Sequence, residues 1–137
     1  MVTHLFDTSA TPAQYFDENG ASRIDALLKN PNVISGVSIL ALYEVYTTIL
    51  HRSSSDEVAT QAVETIREAV SEVLPVTEAV LVTALDLRRA SSARIALADI
   101  LMAATAVRAG AVLVHRDPHF AALPAGRPAQ EALPKKH

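Results

Sequence analysis

The sequence predicts an α/β fold: a single domain with a parallel sheet of four or five strands and helices on both faces. Three observations carry this. Short apolar runs, each long enough for one buried strand, alternate with longer stretches of helical period, the order that a parallel sheet with crossover helices requires. Turn and cap residues punctuate nearly every junction between them. The length, 137 residues with half of them hydrophobic and 20% charged, suits one globular domain and is too short for two.

Val2 to Phe6 reads as the first strand, followed by a turn at Thr8 and Ser9 and a helix start at Thr11-Pro12. Asn19 and Gly20 break that helix, and a further helical stretch runs from Ala21 to Lys29. Asn30-Pro31-Asn32 marks a loop before a second strand at Val33 to Val37. Ser38 then caps a helix to about Arg52 that is apolar nearly all round, hence buried. Ser53 to Asp56 forms a loop ending in an N-cap, and Val58, Ala62, Val63, Ile66 and Ala69 continue at helical spacing. Val73 to Val76 reads as a third strand, and Pro75 within it indicates an edge position. Thr77 caps a helix to about Arg89, Ser91 and Ser92 open a loop, and a last helix spans Leu97 to Ala109 with Gly110 as its terminator. Ala111 to Val114 is the fourth strand. The folded domain is therefore expected over 1–123, with 124–137 an irregular, proline-punctuated tail in which a fifth strand is missing or very short.

Composition excludes several classes. With no cysteine there is neither a disulfide framework nor a thiolate zinc site. The first residues lack a signal-peptide pattern, and no apolar run reaches about 20 residues, so a cytoplasmic protein with no membrane span is expected. A net charge of −3 argues against a coat on nucleic acid but not against a nuclease, because metal-binding carboxylates subtract from the total. Arg88, Arg89 and Arg94 form a local basic cluster, which is either a substrate contact or a solvated helix end.

Four acidic residues carry the chemistry. Asp7 and Asp117 each follow an apolar strand-like run, and Glu44 and Asp99 each interrupt an apolar helix. Burying an ionised carboxylate without a partner is costly, and the natural partner for several that converge is a hard divalent cation. In a parallel sheet, ligands bind beyond the carboxyl ends of the strands, where Asp7 and Asp117 fall. Each has a plainer reading: Asp7 an Asx-turn or cap, Glu44 a groove residue, Asp99 a first-turn carboxylate, Asp117 a turn former. The five histidines, including His4, His51, His115, His119 and His137, offer no metal-spaced pair on one helix and read as turn or site-rim residues.

These residues resemble the PIN-domain ribonucleases, and at this length the toxins of VapC type from toxin–antitoxin pairs. FDTSA, SILALYEVY and the block ALADILMAATAVRAGAVLVHRD with the HF beyond Pro118 carry the likeness over about residues 2 to 120. The resemblance implies that Asp7, Glu44, Asp99 and Asp117 form an acidic quartet holding Mg²⁺ or Mn²⁺ for hydrolysis of RNA phosphodiesters. Asp7, Asp99 and Asp117 would be the closest ligands, with Glu44 acting through water. Ser9 matches a small polar residue of the motif, and Arg94, His115 and Arg116 are candidate accessories. His115 stands where Thr or Ser is frequent and His119 where a further Asp is frequent, which removes a hydroxyl and makes one side of the site less acidic. The implied partners are an RNA substrate, a cognate antitoxin and a second copy, for which Tyr43, Tyr46 and the alanine-rich faces are candidates. Two other classes compete. A non-catalytic PIN-like binding module has no reason to keep mutually repelling carboxylates. A receiver or phosphatase using Asp7 lacks a second carboxylate in Asp7-Thr8-Ser9 and a lysine near any strand end, since the lysines are Lys29, Lys135 and Lys136.

Overall fold

The computed structural model describes residues 1–11 and 20–134. Five strands, β1 (His4–Phe6), β2 (Ser35–Ser38), β3 (Glu72–Leu74), β4 (Val112–His115) and β5 (Gln130–Ala132), form one sheet in the order β3-β2-β1-β4-β5. Every pairing is parallel. The helices are α1 (Ala21–Lys29), α2 (Ile39–Ser53), α3 (Asp56–Ala69), α4 (Glu78–Ala90) and α5 (Leu97–Ala109), with a 3₁₀ turn at Pro118–Ala122. The helix start expected at Pro12 and the break at Asn19 lie outside the described residues, as do Lys135, Lys136 and His137.

Side-chain alternation along the strands divides the core. Phe6, Val37 and Val114 face one layer with Ile24, Leu27, Leu42, Val45, Ile49 and Ile66, from α1, α2 and α3. Leu5 and Leu113 face the other with Val80, Leu87, Ile100 and Ala103, from α4 and α5. α5 reaches both layers, because Met102 joins the first while Ala103, Ala104 and Ala106 join the second. Those alanines are fully buried within the domain. This corrects the expectation that an alanine-rich face is free for a second copy. Tyr43, by contrast, is 69% exposed.

The expected caps form. Ser38, Ser55 and Thr77 accept hydrogen bonds from the backbone N–H of Leu40, Val58 and Val80. Gly110 takes the left-handed conformation, φ 66°, that ends α5. β3 lies at the sheet edge beside β2, with Pro75 just past its end. The fifth strand, expected to be missing or very short, forms with three residues. Gln130–Ala132 pairs with β4 as the opposite edge strand, although its residues are poor strand formers. Tertiary contacts supply what propensity lacks: the Leu133 N–H donates to the His115 carbonyl at 2.7 Å, and Arg23 clasps Glu131 at 2.8 and 3.0 Å.

The chain moves from β1 outward to β2 and β3, then returns to the other side of β1 for β4 and β5. The topological switch point thus lies between β1 and β4, where a crevice opens at the carboxyl edge. Their register pairs Phe6 with Val114, so Asp7 and the segment leading to Asp117 emerge side by side.

Close packing at β2 gives a direct test of this layering. A methyl added at Gly36 would stand 2.9 Å and 3.0 Å from the two γ carbons of buried Val2. Valine has little rotamer freedom to yield, so Gly36→Ala is expected to destabilise the fold by about 1–3 kcal/mol, read as a lower urea midpoint at unchanged slope.

Candidate metal centre

Asp7 is fixed by the turn it begins. Its N–H donates to the Val114 carbonyl at 2.9 Å, one step beyond the last strand pair, and its carbonyl accepts from the N–H groups of Ala10 and Thr11. Its side chain is 2% exposed. Oδ2 accepts from the Ser9 N–H at 3.0 Å and the Ser9 hydroxyl at 2.6 Å. That hydroxyl in turn accepts from the Arg116 N–H at 2.9 Å. Ser9 therefore ties the turn after β1 to the turn after β4, a defined role for a predicted accessory residue. Oδ1 is buried and has no hydrogen-bond partner among the described residues. Burial raises the Asp7 pKa more than the two Ser9 hydrogen bonds lower it; Glu44 raises it further and His115 offsets this in part. The Asx-turn reading is thus correct for one oxygen and leaves the other unexplained.

Glu44 lies in the second turn of α2, half-buried, and its Oε1 accepts from the Thr8 hydroxyl at 2.6 Å. Thr8 was legible only as part of a turn. Asp99 sits in the first turn of α5, whose N-cap, Ala96, contributes no side-chain cap. Its pKa rises to about 6, through burial first, then through the charges of Asp7, Asp117 and Glu44, with His119 opposing. A helix N-terminus would favour the carboxylate form; three neighbouring carboxylates and partial burial outweigh it. Asp117 caps the 3₁₀ turn, with Oδ1 accepting from the His119 N–H at 2.9 Å and lying 2.9 Å from His119 Nδ1. The four predicted carboxylates are thus close enough that Asp99 senses the charge of the other three.

The accessory candidates divide. His115 is buried and structural: Nδ1 accepts from the Asp117 N–H at 3.2 Å, so the Nε2 proton goes to Gln130 Oε1 at 2.9 Å. Its ring packs on Phe120 at 4.7 Å. Arg116 contributes its backbone to Ser9 and its Nε to the Pro134 carbonyl at 3.2 Å. Arg94 lies elsewhere, lining a groove of about 250 Å³ between α4 and α5 with Leu81, Leu85, Arg88 and Leu97. Arg89 pairs with Asp86 at 3.2 Å. The basic cluster is thus a helix-end surface, and no arginine is among the charges that shift Asp99.

Among the described residues, no group of three or more Asp, Glu or His side chains is arranged so as to hold a metal ion as it stands. The acidic set is open, as suits Mg²⁺, which keeps several waters and takes few carboxylates directly. The unpartnered Asp7 Oδ1 and the mutual repulsion at Asp99 both fit a divalent cation, so the residues present match the group expected of them.

A sequence model of the PIN domain matches residues 5–126. The chain belongs to the PIN domain family. No curated protein sequence matches it. Among solved structures, this PIN domain is similar to a chain of VapBC2 from Rickettsia felis, bound to a DNA fragment from their promoter: TM-score 0.79, 17% identity, covering 97% of this chain and 100% of that chain. A chain of DNA-bound VapBC from Salmonella typhimurium gives a TM-score of 0.76 at 16% identity, covering 96% and 98%. A chain of VapBC-5 from Mycobacterium tuberculosis gives 0.64 at 23% identity, covering 96% and 98%. At these identities the likeness is one of fold.

Asp99 makes the crevice testable without any metal. Its folded pKa, about 6, exceeds the ordinary 3.8, so the folded state binds this proton more tightly than the unfolded chain. Stability from this group is fullest below about pH 4 and is lost as pH rises through 6. Above that pH the penalty is on the order of 1–2 kcal/mol after screening at a half-exposed carboxylate is allowed for, partly offset by the helix dipole. Asp99→Asn is therefore expected to raise the melting temperature of the metal-free protein at pH 7.5 by about 3 °C and to flatten its decline between pH 4 and 6. A lower melting temperature at pH 7.5 would show Asp99 to be an ordinary first-turn carboxylate.

Proposed function

We propose that this PIN domain is a Mg²⁺- or Mn²⁺-dependent endoribonuclease, and that it acts in the cytoplasm as the toxin of a toxin–antitoxin pair. The observation that carries the reading is Asp99, a half-buried carboxyl whose pKa is raised first by burial and then by the charges of Asp7, Asp117 and Glu44. A chain that concentrates four acids at a switch-point crevice accepts a stability cost that a binding module would have no reason to keep.

Asp7, Asp99 and Asp117 would hold the cation, Asp7 through Oδ1 because Oδ2 is committed to Ser9. When bound, the divalent ion supplies Lewis-acid charge against the negative charge developing on the phosphodiester and favours deprotonation of water. Glu44 keeps one oxygen uncommitted by Thr8, suited to accept a hydrogen bond from the attacking water and align it. Ser9 holds Asp7 at fixed reach, and the buried floor limits water behind it. The toxin role is supported by membership in the family and by a fold shared with chains of VapBC complexes. The antitoxin would lay an apolar segment on the protein and a basic side chain in the acidic crevice.

A homodimer is part of this reading, with the groove of about 300 Å³ lined by Ile39, Leu42, Tyr43, Tyr46, Thr60 and Val63 as the apolar surface to be covered. Sedimentation at tens of micromolar should give the dimer mass, and a monomer would remove this element alone.

RNA cleavage by the purified protein should require Mg²⁺ or Mn²⁺ and stop on adding EDTA. Asp99→Asn should lower the rate by roughly 100-fold or more and abolish the growth defect caused by expression without an antitoxin. Cleavage that persists in metal-free buffer, or a folded Asp99→Asn protein that remains toxic, would overturn the proposal.

A further inference from the structure

We propose that Thr8 is a positioning residue for the acidic crevice, fixing Glu44 on α2 and setting its separation from the acid-bearing turn of α5. The inference rests on the metal-centre reading and extends it to a residue outside the acidic set.

The Thr8 hydroxyl has a single proton and two neighbours. Glu44 Oε1 lies at 2.6 Å, in the range of a hydroxyl donating to a carboxylate, whereas Met102 Sδ lies at 3.8 Å and is a weak acceptor. The proton therefore goes to Glu44, and the sulfur contact is packing. Met102 is three residues beyond Asp99 on α5, hence on the same helical face, and is fully buried. One small side chain thus touches both helices that bring acids to the crevice.

Thr8 itself has little freedom. The Ala10 N–H and Thr11 N–H bind the Asp7 carbonyl on either side of it, and the Thr11 hydroxyl donates to the Thr8 carbonyl at 2.9 Å. A β-branched side chain on a fixed backbone is confined at χ1. Glu44 needs such a holder. It has a flexible side chain on a half-buried site, and its acidic neighbours Asp7 and Asp99 repel it toward solvent. The hydroxyl opposes that repulsion by engaging Oε1, and the second oxygen makes no bond to Thr8. Outer groups that orient ligands in this way typically govern metal affinity by 10–100-fold.

The test uses Mn²⁺ alone, titrated into the full-length protein by calorimetry, with thermal melts to verify folding. Thr8→Val should weaken Mn²⁺ binding about 10-fold, and Thr8→Ser, which keeps the hydroxyl, should bind within about 2-fold of wild type. In a Glu44→Ala background, Thr8→Val should cause no further loss, because the group it positions is gone. If Thr8→Val does not fold, Thr8→Ala is read in its place against Thr8→Ser. Equal affinity of Thr8→Val and wild type would overturn the proposal while leaving the metal centre intact, as would a full 10-fold loss in the Glu44→Ala background. Wild-type protein that binds no Mn²⁺ at millimolar concentration would overturn the metal centre and this proposal with it.

Discussion

The Ser9 hydroxyl joins the two strands on either side of the switch point, and the acidic crevice rests on that joint. It donates at 2.6 Å to Asp7 Oδ2 and accepts at 2.9 Å from the Arg116 N–H. The β1–β4 pairing ends at Phe6 and Val114, and the bond from the Asp7 N–H to the Val114 carbonyl is the last purely backbone link. Ser9 carries the connection one step further, into the loops that bear Asp7 and Asp117. It also decides which Asp7 oxygen is committed and which is left over. Hydrogen bonds to an ionised group contribute roughly 1.5–3 kcal/mol each, yet here burial still raises the Asp7 pKa overall. The side chain is held in place while its charged form is penalised, a penalty that a bound cation would relieve.

The same balance explains why α5 is so apolar. Asp99 is destabilised where it stands, by burial and by the charges of Asp7, Asp117 and Glu44, and His119 offsets this only in part; its helix has no side-chain N-cap. What keeps it there is the burial of Met102, Ala103, Ala104 and Ala106 in both core layers, which fixes the helix against the sheet at a gain far larger than one carboxylate's penalty. Small side chains let α5 lie close, so its first turn cannot retreat from the crevice. Core packing is thus the source of the local electrostatic tension, and function and stability meet in the same helix.

Period and punctuation made the architecture legible. Leu5, Leu113, Phe6 and Val114 are plain as buried strand residues, and Ser38, Thr77 and Gly110 as caps, because each reports a local physical requirement. The four acids were legible for the opposite reason, as charges where local burial forbids them. What escaped notice depended on partners distant in sequence. Gln130–Ala132 has no strand propensity and becomes β5 only because β4, Arg23 and the Leu133 N–H receive it. Thr8 resembles any turn residue until α2 brings Glu44 to it, 36 residues along the chain. Arg94 looked like a neighbour of Asp99 because five positions separate them, but it lines the α4–α5 groove instead. His115 looked like a substitution at the rim of the site, whereas its ring turns into the core against Phe120.

The tail strand matters to the site through one amide. Gln130 Oε1 accepts the Nε2 proton of His115 at 2.9 Å, while Gln130 Nε2 donates to the Phe120 carbonyl at 3.1 Å. His115 and Phe120 bracket the turn that carries Asp117, so a single side chain from β5 grips both of its ends. The hydrogen-bond directions agree with one another: the Asp117 N–H occupies His115 Nδ1, which leaves Nε2 as the donor that Gln130 requires. The edge strand thus helps, through Gln130, to hold the turn that carries Asp117.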